Sequence, residues 1–95
     1  MPDSTMLTML KTDLGIMTTT AYDTRLNQLL TAAKKAIESE GASTLDASDI
    51  SDMQLIVMYA AWLWRRRDGM EGMPRMLRYA LNNRVLGEKA GDDNG

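Results

Sequence analysis

The sequence predicts an all-α fold: a small bundle of about four helices with a buried apolar third helix and a disordered acidic C-terminal tail. Three observations predict it. Apolar residues recur at three- and four-residue spacing in successive segments. Gly15, Gly41, Pro74 and Gly87 fall between or at the ends of those segments, where helices stop or start. Eleven of the twelve residues from Met53 to Trp64 are apolar or aromatic, the mark of a helix covered on all sides. At 95 residues the chain is read as one domain over 1–87 with a flexible tail over 88–95. A chain this short buries roughly 60–65% of its unfolded surface, so association with further copies would help it.

Each element has its own signals. Over 4–14, Met6, Leu7, Leu10 and Leu14 keep helical spacing and Gly15 ends the run. Thr20 is the expected cap of the second helix, with Asp23 in its first turn. Over 21–40, Tyr22, Leu26, Leu29, Leu30, Ala33 and Ile37 form one stripe, with Arg25, Gln28, Lys34 and Lys35 off it; Gly41 ends it. The third helix is expected to start at Ser51, which has capping-box spacing to Gln54, with Ile50 and Leu55 as a hydrophobic staple. Pro74 suits the first turn of the fourth helix. There Met76, Leu77, Ala80, Leu81 and Val85 are the expected inner stripe, and Gly87 the stop.

Composition excludes several function classes. There is no Cys, hence no disulfide or thiolate metal site, and no His, hence no imidazole proton shuttle or imidazole metal ligand. Catalysis by a Ser–His or Cys–His pair is excluded, and no cofactor, metal or catalytic residue is expected. Asp46, Asp49 and Asp52 do not follow a calcium-loop pattern, and Asp49 and Asp52 read as first-turn charges of the third helix. The net charge is −2, and residues 1–87 balance at ten bases and ten acids, so the chain lacks the excess of a general phosphate binder. No apolar run reaches the ~18 residues of a membrane span, and the start lacks a signal-peptide pattern; no membrane partner is expected. Nine Met and no Phe give the chain adaptable packing material.

The stretch Tyr59–Gly69, "YAAWLWRRRDG", concentrates the chain's unusual features. Leu55, Tyr59, Trp62, Leu63 and Trp64 are read as the spine of the core, open to contact with a sister copy. Arg65, Arg66 and Arg67 sit where cations favour a helix C-terminus, and their stems can stack on Trp62 and Trp64. Together with Arg75, Arg78 and Arg84 they are the candidates for a subunit interface or for passing DNA. A rival reading makes residues 51–86 a helix-turn-helix-like DNA-binding regulator, with Arg75, Arg78, Asn82, Asn83 and Arg84 on the reading helix. Against it stand the long connection "RRRDGMEGM" and the neutral charge.

The order of segments carries a resemblance. "LKTDLGI", then "YDTRLNQLLTAAKKAIESEG", then "LIVMYAAWLWRRRDG", then "GMPRMLRYALNNRVL" resembles the head–tail connector (adaptor) family of long-tailed bacteriophages and prophages over residues 7–86. The resemblance implies a structural protein and not an enzyme. Its copies, possibly monomeric when free, would form a ring of roughly a dozen subunits through head-to-tail contacts. The ring would dock under the portal protein, extend the DNA channel and offer a platform to a stopper or tail-completion protein. DNA would pass through without sequence-specific binding. The implied location is the virion head–tail interface, and the host cytoplasm during assembly.

Overall fold

The computed structural model describes residues 3–66 and 72–94, with side chains placed from Thr5 to Arg66 and from Gly72 to Glu88. It is all-α. The elements are α1 (Asp3–Leu14), α2 (Asp23–Ser39), α3 (Ile50–Arg65) and α4 (Arg75–Asn94), with no strand among the described residues. The third helix touches the other three, α1 and α2 touch each other, and α4 rests on α3. The Cα atoms span 46 × 32 × 17 Å. At interaxial distances of about 8–10 Å, that least dimension holds two helix layers. Among the described residues no helix is long and apolar enough to cross a membrane.

In α1, Met6 and Leu10 are buried one turn apart, and Leu7 and Leu14 pack half-buried against the same core. Gly15 adopts φ +74°, which reverses the chain; the Ile16 N–H donates back to the Lys11 carbonyl at 3.0 Å. Lys11 is itself buried and pairs with Asp23 at 2.9 Å, tying α1 to the first turn of α2.

The start of α2 departs from the sequence reading. Thr20 does not cap it. Thr19 Oγ1 instead accepts the Ala21 N–H at 3.1 Å, and Tyr22 takes the N-cap position without a side-chain bond. Tyr22 therefore stands outside the helical register of its expected stripe and is exposed, edge-on to Trp64 at 5.3 Å. Leu26, Leu29, Leu30, Ala33 and Ile37 are buried as their spacing predicts. Gly41, at φ +126°, closes the helix, and the buried Ala42 donates its N–H to the Ile37 carbonyl at 3.4 Å.

The start of α3 also shifts. Asp49 is the N-cap, its carboxylate accepting the Ser51 N–H at 3.3 Å. The Ser51–Gln54 box and the Ile50 staple are not formed, and Ile50 lies in the helix, exposed. A carboxylate at a helix N-terminus gains from the dipole as well as from the hydrogen bond, so Asp49 prevails over a hydroxyl two residues on. The spine is apolar and packed as expected. Leu55, Ile56, Val57, Tyr59, Ala60 and Ala61 are buried; Met53, Met58, Trp62, Leu63 and Trp64 are half-buried against them. Tyr59 and Trp62 meet edge-on at 5.4 Å.

In α4, Leu77 and Leu81 are buried and Ala80 and Val85 half-buried. Met76 is 75% exposed, against its expected place in the inner stripe. It precedes Leu77 by one residue and so lies ~100° away from the inward face. Gly87 does not stop the helix, whose backbone continues to Asn94. Glu88, assigned by sequence to the flexible tail, is fixed by contacts described below, which moves the edge of the folded unit past it. The side chains of 89–95, the rest of that expected tail, lie outside the described residues.

Gly41 joins two elements. A Cβ built on it would lie 3.1 Å from Val85 Cγ1, and its φ is one that L side chains rarely adopt. Gly41→Ala is expected to cost about 1–3 kcal/mol in a thermal melt. Gly15→Ala meets nothing within 4 Å and carries only the dihedral penalty. Equal losses in the two variants would contradict the Val85 contact.

Candidate functional site

The densest polar cluster joins α4 to the connection between α2 and α3. Asp52 lies in the first turn of α3 because Asp49, one turn earlier, holds the cap. Asp52 is buried, and its carboxylate faces Arg84. Arg84 Nε donates to Asp52 Oδ1 at 2.7 Å and Nη2 to Oδ2 at 3.3 Å, a two-pronged pair. The Asp46 N–H donates to the same Oδ2 at 2.9 Å. Arg84 Nη2 also reaches the Thr44 carbonyl at 3.2 Å, and Nη1 reaches Glu88 one turn on at 3.3 Å. The hydrogen bond that Arg84 donates to Asp52 raises the Arg84 pKa above its ordinary value.

Glu88 completes the cluster. Its Oε2 accepts the Ser43 hydroxyl at 2.7 Å and N–H at 2.9 Å. Its Oε1 accepts the Thr44 hydroxyl at 2.7 Å and N–H at 3.0 Å. The Ser43 and Thr44 hydroxyls, helped by the two N–H groups, hold its carboxyl down to about 2. Nearby, the Ser48 hydroxyl and N–H hold Asp46 below the usual carboxylate range. Chemically this cluster clamps: its hydroxyls and guanidinium bind carboxylates and a carbonyl that already belong to the chain.

The arginines named from sequence are scattered. Arg65 is exposed and donates to the Asp13 carbonyl at 3.4 Å. Arg66 lies over the Trp62 ring at 4.9 Å, the stacking that the sequence suggests. Arg67 lies outside the described residues. Arg78 pairs with Glu40 at 3.5 Å, and Arg75 is exposed with no polar partner among the described residues. Arg84, a candidate for an interface or for passing DNA, has its guanidinium engaged within the chain by Asp52, Glu88 and Thr44. Its spacing carried the signal, since it follows Leu77 by seven residues and Leu81 by three, on the inner face. Of the spine residues, all on α3, Leu55 and Tyr59 are buried and Trp62, Leu63 and Trp64 are half-buried against the core. Among the described residues no group of acids could hold a metal ion.

Compared with protein-family models, curated proteins and solved structures, the chain finds no match.

Two outcomes follow from the clamp. Arg84→Met leaves Asp52 charged, buried and unpaired, and is expected to cost about 3–5 kcal/mol; Asp52→Leu with Arg84→Met regains most of it. Urea unfolding checks this, and a double variant as weak as the single one would contradict it. Glu88 is held below its ordinary 4.5 in the folded state. Its contribution is therefore complete above that value and is lost as pH falls toward the folded value. The gap between wild-type and Glu88→Gln midpoints should hold steady above about pH 5 and close by about pH 2.

Proposed function

We propose that this chain is a head–tail connector (adaptor) subunit of a long-tailed bacteriophage or prophage. It would form a ring under the portal, extend the DNA channel and present a platform to a stopper or tail-completion protein. The observation that carries the reading is the order and spacing of the four segments over residues 7–86. Its support from structure is indirect. The segments fall on four successive helices, and the aromatic, basic-ended one forms the packed centre. The clamp at Asp52, Arg84 and Glu88 spends the chain's best-organised polar groups on holding α4 in place. That suits a building part under load better than a catalyst. With Arg84 engaged inside, the reading face that a DNA regulator would need loses one of its guanidinium groups.

The test uses portal-bearing, DNA-filled capsids that lack a connector. Purified chain should co-sediment with them at roughly a dozen copies per particle, a closed ring's stoichiometry. Failure to bind, together with nanomolar duplex-DNA binding that falls steeply with salt, would overturn the proposal in favour of a regulator.

A further inference from the structure

The buried core is shared unequally among the helices. Among the described residues α4 adds Leu77 and Leu81 to it; the other buried apolar side chains come from α1, α2 and α3, with Ala42 after α2. Those three helices all touch one another, whereas α4 rests mainly on α3. The Lys11–Asp23 pair ties α1 to α2 without help from α4. Most of the core therefore stays closed if α4 leaves it.

The seam between α3 and α4 is loosely filled. A cleft of about 340 Å³ lies between Leu55 and Met58 of α3 and Ala80 and Asn83 of α4. Another, of about 250 Å³, lies between Met58, Ala61 and Trp62 of α3 and Met76 and Leu77 of α4. Each has room for several water molecules, so the dispersion contacts of a close-packed seam are missing there.

Besides its two leucines, α4 is held by polar groups gathered at one end. Arg84 and Glu88, one turn apart, reach Asp52, Thr44 and Ser43. The Arg78–Glu40 pair is exposed on both sides and adds little. Ser43 and Thr44 are exposed, and Asp52 lines the α3–α4 cleft. Lifting α4 thus returns both partners of each bond to water, and bonds to water replace those lost. Removing one partner alone is different, because the other then stays inside unpaired.

We propose that α4 is a separately opening unit: it leaves α3 as one piece while α1, α2 and α3 stay folded, and Arg84 with Glu88 is the latch that sets how often. Opening uncovers the side of α3 that carries Leu55, Met58 and Ala61. A helix without its neighbour is only marginally stable in water, so the backbone bonds of α4 break once it is free. The device belongs to the free chain and does not depend on the connector role.

Native-state amide exchange of the full chain tests this. The amides from Leu81 to Val85 should be at least ~10-fold less protected than those of Leu30, Ala33 and Ile56, and should share one dependence on low urea. Glu88→Gln should lower their protection at least ~10-fold further. Leu30 lies between α1 and α2, beside Met6 and Lys34 and away from α4. Leu30→Val therefore weakens the opened and the closed chain alike. It should speed the slowest α2 and α3 amides about 4-fold, the worth of one methylene, and leave the α4 amides at their wild-type rate. If α4 is protected as well as α2, or if Leu30→Val speeds both alike, the chain opens only as a whole and the proposal falls. It falls too if protection in α4 declines residue by residue toward its end, which is fraying, or if Glu88→Gln leaves α4 unchanged.

Discussion

One constraint governs this molecule: α3 is apolar on nearly every side, and each side has to be taken out of water. The apolar area on one twelve-residue stretch exceeds what a single neighbour can cover, so three helices gather round it. The tightest partner is α2, whose stripe of leucines and Ile37 is unbroken. A two-layer slab leaves α3 flanked without being enclosed. The half-burial of Met58, Trp62 and Trp64 is the direct result. Large aromatic groups at this margin keep apolar area in contact through their edges, as Tyr59 with Trp62 and Tyr22 with Trp64 do.

The fourth helix solves a different problem. Among its described residues it brings two buried leucines to the core, and polar anchoring adds to its seat. The anchors are guanidinium, carboxylate and hydroxyl groups: Asp52 holds the Arg84 guanidinium above its ordinary value, and the Ser43 and Thr44 hydroxyls hold Glu88 down to about 2. The same anchoring carries the helix through Gly87. That residue weakens a helix by about 1 kcal/mol relative to Ala, and the four donors on Glu88 lie just beyond it.

Local signals in the sequence were enough for the helices themselves. The spacing of Leu26 to Ile37, the apolar run of α3 and the two left-handed glycines at 15 and 41 each act over a few residues, and each is where the pattern puts it. What sequence could not order was competition between neighbours of similar chemistry. Asp49 and Ser51 both qualify as a cap, and the structure takes Asp49, with Asp52 on the inward face in line with Ile56 and Tyr59. Contacts across more than thirty residues, Asp52 with Arg84 and Ser43 with Glu88, leave no periodic trace. The spacing of Arg84 hinted at an inward position without naming its counter-charge. Met76 and Tyr22 were misplaced for a simpler reason: one residue of register at a helix start turns a side chain from core to solvent.

Three methionines line the clefts on either side of α3. These are Met9, Met58 and Met76, whereas Met6 is buried in the core. Thioethers at a water-accessible rim are open to peroxide, and a sulfoxide turns a pliant apolar side chain into a polar one. Oxidation at Met76 would therefore wet this surface while Met6, in the core, stayed shielded.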